Sequence, residues 1–312
     1  MELTAGQRRT LDRLIGRGER PGVPPGVPER VRTRLEEGLS DLEVTEPLWL
    51  SKRRLEELAQ CEGLLQASLA GEGERFAYGA QSAAGTLMHR AIQLDVAAER
   101  GVDVRTVVDR AADRIVEHDG AFAPYWASLD ELDRAERLAE AAAALAMFRE
   151  MFPPIPRGWQ PVSEQSLRVR LAGGMVVLSG RLDLVLGRRS QLLLDFKSGD
   201  ARPAHAEDMR FYALLCTLVF GRTPYRVATV FLQSMEWQAE DVTEETLDLA
   251  ADRVVGAAGS AAALAAGREP ELRPGPHCRW CPRSASCPAL AAARAGADPD
   301  SGPPGRLPGA FV

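Results

Sequence analysis

The sequence predicts an α/β fold built around one mixed sheet. Three observations lead there. Helix-period segments fill 51–152, β-type segments follow one another through 161–197, and helix, strand and helix alternate through 204–267. Taken in order, 51–70 (SKRRLEELAQCEGLLQASLA) reads as a helix with Ser51 as its N-cap. A second helix covers 83–100, and two more lie near 104–118 and 128–152. The proline-rich FPPIPRG at 152–158 then ends the helical regime. The segments 161–171, 175–186 and 191–197 carry the alternating and β-branched character of strands. Helical spacing returns at 204–220, 225–233 is a further strand, and 243–267 a long helix. Residues 1–47 form a helical N-terminal extension around a turn-rich GRGERPGVPPGVP, 48–290 the main domain, and 291–312 a tail expected to be disordered.

Composition excludes several classes. With 45% hydrophobic and 26% charged residues the chain is of ordinary globular type. A net charge of −6 excludes a generic basic DNA-coating protein, so any nucleic-acid contact must come from a local patch. No apolar run approaches the roughly 20 residues of a membrane span, and the N-terminus lacks the apolar core of a signal peptide. A reducing, cytoplasmic setting is the expectation, in which clustered cysteines point to metal or catalysis rather than to disulfides.

Two short stretches carry chemistry. The chain has 38 Lys plus Arg, yet only Lys52 and Lys197 are lysine. Lys197 lies in LLLDFKSGD, where strand alternation puts it on the same face as Asp195, with Phe196 opposite. In the preceding GRLDLVL, the same alternation puts Arg181, Asp183 and Val185 on one face and Leu182, Leu184 and Leu186 on the other. If 187 pairs with 191 across a three-residue loop, Asp183 falls opposite Asp195. Directly opposite Cβ atoms stand about 4.5–5.5 Å apart. Two carboxylates that close call for a cation between them, and a hard Mg²⁺ or Mn²⁺ ion suits oxygen ligands. Lys197 follows one step along that face, as a compact ammonium able to reach a water or a phosphate oxygen. The plain alternative is an edge-strand salt bridge. The second stretch is C-x2-C-x5-C at Cys278, Cys281 and Cys287. Three thiolates on a tight loop want a fourth ligand. Cys216 sits in an apolar helix and reads as core, which leaves Cys61.

Together these residues resemble the PD-(D/E)XK nuclease superfamily in its RecB-like branch. Asp183 matches the family's Asp, and Asp195 with Lys197 its (D/E)-x-K. GTLMHRAI supplies the Gly-x-x-x-His helix with His89, and DMRFY matches the Gln-x-x-x-Tyr helix at Tyr212, although Asp208 stands where Gln is usual. Glu164 resembles a further acid that the branch carries upstream. The resemblance implies a restriction-endonuclease-like central mixed sheet flanked by helices, with a C-terminal cysteine cluster. It implies Mg²⁺ or Mn²⁺ held by His89, Asp183, Asp195 and the Phe196 carbonyl, with Lys197 assisting the attacking water and Tyr212 near the DNA. Members such as AddB and the CRISPR-associated single-strand exonucleases split four cysteines in the same way. By that resemblance Cys61, Cys278, Cys281 and Cys287 hold a 4Fe–4S cluster; spacing alone also admits Zn²⁺ with Cys61 or His277.

The function expected is a metal-dependent DNA nuclease, an exonuclease acting on single strands or DNA ends in DNA repair, recombination or CRISPR adaptation. Arg181, Arg210 and the SKRR helix start are the expected phosphate contacts. No phosphate-binding G-x-x-x-x-G-K-[ST] loop occurs, so a helicase or CRISPR adaptation protein would be a separate partner. Two rivals remain: a non-catalytic nuclease-fold subunit that binds DNA, and a zinc-stabilised binding module.

Overall fold

The computed structural model describes residues 2–16, 23–73, 76–98 and 101–295. From the N-terminus the chain forms α1 (Ala5–Arg9), a π-helical segment (Thr10–Gly16), α2 (Val27–Gly38), β1 (Leu48–Ser51), α3 (Lys52–Gln60) and α4 (Glu62–Leu69). Then come α5 (Ala80–Ala97), α6 (Val104–His118), α7 (Phe122–Ser128) and α8 (Glu131–Met151). The second half comprises β2 (Val162–Leu171), β3 (Val176–Leu186), β4 (Leu192–Lys197), α9 (Ala204–Phe220), β5 (Arg226–Phe231), β6 (Glu236–Asp241), α10 (Glu244–Ala265) and α11 (Pro288–Ala295). The predicted α/β class holds: one mixed six-stranded sheet is flanked by helices.

The sheet forks, and the fork positions the site. β2 runs antiparallel along β3 from Val176 to Val185 and occupies one of its two edges. The other edge is shared. β1 pairs in parallel with Val176–Ser179, and β4 pairs antiparallel with Leu184–Leu186. Residues 180–183 lie between the two partners. β4 then pairs in parallel with β5, and β5 antiparallel with β6.

Two apolar cores lie on opposite faces. Against α2, α9 and α10 pack residues such as Leu178, Leu182, Val185 and Leu193. Against α5, α6 and α8 pack Leu184, Leu186, Leu194 and Phe196, whose ring meets Phe148 and Phe152 edge-on. Leu182 and Val185 thus share a core while Leu184 and Leu186 face the other. The strict alternation expected along β3 breaks at Asp183, where the strand crosses the fork.

Several boundaries differ from expectation. The helix expected at 51–70 is broken at Cys61, whose extended backbone (φ −168°) separates α3 from α4. The hairpin keeps the expected register, with Leu184 opposite Leu194, but Gly187 and Gln191 leave the ladder and the loop grows to five residues. β1, β6 and α7 went unforeseen. β1 has only four residues, and β6 (EWQAED) is a charged edge strand without apolar alternation. Residues 291–295 belong to α11, not to a disordered tail; the rest of that predicted tail lies outside the described residues. The N-terminal extension is no appendage. α2 buries Val27, Val31, Leu35 and Leu39 in the first core. Thr4 Oγ1 and Gln7 Nε2 donate to the carbonyls of Glu150 and Arg149 at the C-terminal end of α8. No helix among the described residues is long and apolar enough to cross a membrane.

Candidate active site

Three carboxylates lie in a row across three adjacent strands. Ser163 pairs with Leu184 and Gln165 with Leu182, so Glu164 lies across from Asp183. The β3–β4 ladder, running through Leu184 and Leu194, puts Asp195 on the other side of Asp183. Glu164 adopts φ +55°, a left-handed conformation uncommon outside glycine, and its carboxylate pairs with Arg181 Nε at 2.9 Å. Such backbone outliers concentrate at functional sites.

His89 comes from α5 above the sheet. Its Nδ1 stands 3.3 Å from Asp183 Oδ1, yet this buried atom makes no hydrogen bond. Ligand atoms of His89, Glu164 and Asp183 all lie within 4.8 Å of one another. Asp183 Oδ2 accepts the Phe196 N–H at 2.7 Å, so Phe196 contributes its amide to the site. An imidazole lone pair and two carboxylates brought this close, one ligand atom an orphan, form a donor set that fits a hard divalent cation. An added Cβ at Gly85, one turn before His89, would meet open space.

Asp195 stands outside that trio, because two ammonium groups hold it. Lys197 Nζ lies 2.5 Å from its Oδ2 and Lys52 Nζ lies 3.5 Å from its Oδ1. Of the expected set, His89 and Asp183 come together with Glu164 beside them, while Asp195 faces the lysines. Burial alone pushes the Asp195 carboxyl up, but Lys197 and Lys52 override it and hold the carboxyl below its ordinary value. Asp183 has no such pair. Burial raises it to about 6, against the pull of His89 and with the push of Asp195.

Lys52 is the residue that the sequence reading placed only among phosphate contacts. It is the first residue of α3, immediately after the end of β1 at the fork. It also approaches Asp208 Oδ2 at 3.8 Å and stands 5.5 Å above the Tyr212 ring. Tyr212 is buried beneath it in the first core, and burial lifts its hydroxyl to about 12. Asp208 is buried as well, which raises its carboxyl to about 6 against the opposing charge of Lys52. His205 was also missed. Its ring packs on Phe231, and its Nε2 is buried without a hydrogen-bond partner.

A groove of about 610 Å³ runs over the carboxylate row and is lined further along by Tyr78, Arg90, Arg114 and His118. The expected phosphate contacts divide. Arg181 lines this groove, whereas Arg210 is committed to Glu240 and Glu207 on α9's flank. Arg53 and Arg54 are held by Glu57 and the Trp49 carbonyl.

The four expected cysteines meet in a separate cavity. Cys61, Cys278, Cys281 and Cys287 all line one cavity of about 370 Å³, together with His277. None of the cysteines is in a disulfide. Cys61 Sγ accepts the Arg273 N–H at 3.5 Å and Cys278 Sγ the Gly275 N–H at 3.3 Å. Among the described residues the thiols do not close into a group within 4.8 Å; the His89 set is the one that does. Cys216 is a core residue whose thiol donates to Gln191 Oε1.

A forked mixed sheet with a row of acids across its centre, an imidazole above and a lysine at the strand end defines a restriction-endonuclease-like fold with a divalent-metal type of donor set. The family comparison goes further: residues 49–288 match the PD-(D/E)XK nuclease superfamily, and the chain belongs to it. Among solved structures, a protein of Eubacterium rectale carrying a provisional exonuclease assignment is 11% identical, over 78% of this chain and 87% of that one, with a TM-score of 0.47. The protein SSO0001 is 12% identical, over 83% of this chain and 94% of that one, with a TM-score of 0.34. No curated protein matches the sequence.

Proposed function

We propose that the protein is a metal-dependent deoxyribonuclease of the RecB-like branch, an exonuclease acting on single strands or DNA ends. The observation that carries this reading is the carboxylate row with its orphaned imidazole nitrogen. Asp195 is answered by two lysines and Glu164 by Arg181, but the Asp183 carboxylate between them faces only the His89 Nδ1 and the Phe196 N–H, an arrangement that is costly to keep unless a cation joins it. His89, Glu164, Asp183 and Asp195 are the residues that would hold that cation. A bound Mg²⁺ or Mn²⁺ supplies Lewis-acid charge for the scissile phosphate and for its attacking water. Lys197, anchored on Asp195, presents an ammonium that orients the water or offsets charge developing on the phosphate. Arg181, Arg90 and Arg114 give the groove a cationic lining in an otherwise acidic chain, which suits backbone contacts and hence salt-dependent, sequence-tolerant binding. Residues 48–290 form the nuclease domain in this reading, with the described residues of 1–47 packed onto it.

The cysteine cavity would hold a 4Fe–4S cluster. Its four thiols line one cavity but do not group within 4.8 Å of one another, a spread that suits a polynuclear cluster better than one tetrahedral zinc with bonds of about 2.3 Å. DNA repair or CRISPR adaptation, with a separate helicase or adaptation protein as partner, fits a nuclease domain that carries no phosphate-binding loop.

The test is degradation of end-labelled single-stranded DNA with and without Mn²⁺. Activity should require the metal, and Lys197→Ala and Asp195→Asn should each lose at least about 100-fold in kcat. Variants that cut as well as the parent would reject the assignment, and DNA binding without cleavage would favour the non-catalytic subunit. The purified protein should be brown and contain iron; a colourless preparation containing zinc would reject the cluster.

A further inference from the structure

The chain contains two lysines against 36 arginines, and both reach the same carboxylate. They come from segments about 145 residues apart in sequence and take different oxygens of Asp195. Asp195 is almost wholly buried, so these two ammonium groups are its charge partners.

Lys52 differs from Lys197 in having somewhere else to go. Asp208 Oδ2 lies 3.8 Å from its Nζ, and Asp208 Oδ1 is buried without a hydrogen-bond partner. The Tyr212 face below offers a further cation-binding surface. Resting on the metal-dependent reading above, we propose that Lys52 is a displaceable counter-ion of Asp195: it occupies Oδ1 while the site is metal-free and moves to Asp208 when a divalent ion claims that oxygen. It is a positioning residue, acting through Asp195.

The choice of lysine follows from the same requirement. An arginine at 52 would take Asp195 with a planar, two-bonded fork that is hard to displace, whereas an ammonium holds it as a single point charge. In a chain that writes arginine at 36 other cationic positions, both exceptions lie where a cation must share a carboxylate with a metal. The arrangement keeps the buried acid neutralised before loading, and it sets metal affinity by competition.

The test is Mn²⁺ titration of DNA-free protein by calorimetry, with Asp183→Asn as the control that abolishes binding. Lys52→Met removes the competitor and should tighten Mn²⁺ binding about tenfold, as expected for deleting a like charge a few ångströms from the ion. Lys52→Arg holds Asp195 more firmly, and Asp208→Asn removes the alternative anchor; both should weaken binding several-fold. A folded Lys52→Met protein with unchanged or weaker Mn²⁺ affinity overturns the proposal. If Lys52→Met does not fold, unchanged affinity in both other variants overturns it. Wild-type protein that binds Mn²⁺ through Asp183 but cuts no DNA rejects the nuclease reading and leaves the Lys52 proposal standing. Metal-dependent cutting with no gain in Lys52→Met rejects the proposal alone, and a wild type that binds no Mn²⁺ overturns both.

Discussion

At the scale of single residues the site is a balance between burial and charge. Asp183 and Asp195 sit side by side, yet burial raises the first to about 6 while two lysines hold the second below the ordinary carboxylate value. The sign of the resulting pH effect differs between them. Asp183 binds its proton more tightly in the folded than in the unfolded chain, so metal-free protein should lose stability as pH rises from about 4 through about 6. Asp195 behaves oppositely, and its contribution is lost as pH falls below the ordinary carboxylate range. A bound cation removes the Asp183 penalty. Thermal unfolding across pH 4–8 in chelator should therefore show a decline towards neutrality that Mn²⁺ reverses, with Mn²⁺ affinity falling below about pH 6 as Asp183 takes up a proton. A stability profile indifferent to Mn²⁺ at pH 7 would contradict this account. These residues were readable singly: alternation around Phe196 and a short loop were enough to pair Asp183 with Asp195. Glu164 was weaker as a signal, because its placement depends on a left-handed backbone conformation within β2 that a glutamate does not announce.

At the scale of elements, the fork in the sheet decides what the helices can deliver. β1 ends at Ser51, whose side chain caps α3 at the Arg54 N–H, and that junction carries Lys52 into the gap between β1 and β4. Across the gap, α9 lies so close to β3 that a Cβ added at Gly180 would stand 2.7 Å from Tyr212 Cε1 and 3.2 Å from Leu215 Cδ2. Both are parts of a packed core with little freedom to yield. Gly180→Ala should cost about 1–3 kcal/mol by denaturant unfolding and displace Tyr212 from beneath Lys52; a neutral effect would show that α9 can shift. Long helices with clear periodicity were legible almost to the residue, as at 204–220. β1 was not, because four residues running directly into a capped helix give too little alternation to separate from it.

At the scale of the whole molecule, two distant ends of the chain are tied together. Cys61 breaks the helix between α3 and α4 and meets the loop carrying Cys278, Cys281 and Cys287 across one cavity. Glu62 adds to the tie, accepting from the Arg268 guanidinium and from the Glu271 N–H at 2.8 Å. A cluster held there, as proposed, would close a long loop and restrict the unfolded chain, as other long-range crosslinks do. Cys61→Ser should therefore lose iron and colour, unfold at lower temperature and become open to proteolysis within 268–295. Retention of iron with an unchanged unfolding temperature would show that Cys61 is not a ligand.

The sequence by itself determined the α/β class, most of the long elements, the Asp183–Asp195–Lys197 hairpin and the membership of four cysteines in one site. The first three and the grouping of Cys278, Cys281 and Cys287 rest on local periodicity, turn length or spacing, which a chain carries wherever it is placed; Cys61 joined them only by elimination of Cys216 and by the family resemblance. Only the tertiary structure decided that Lys52 reaches Asp195, that Glu164 comes within 4.8 Å of His89 and Asp183, and that α2 belongs to the core. These depend on which faces meet when two cores pack against one forked sheet, and the periodicity of a single segment does not specify its partner.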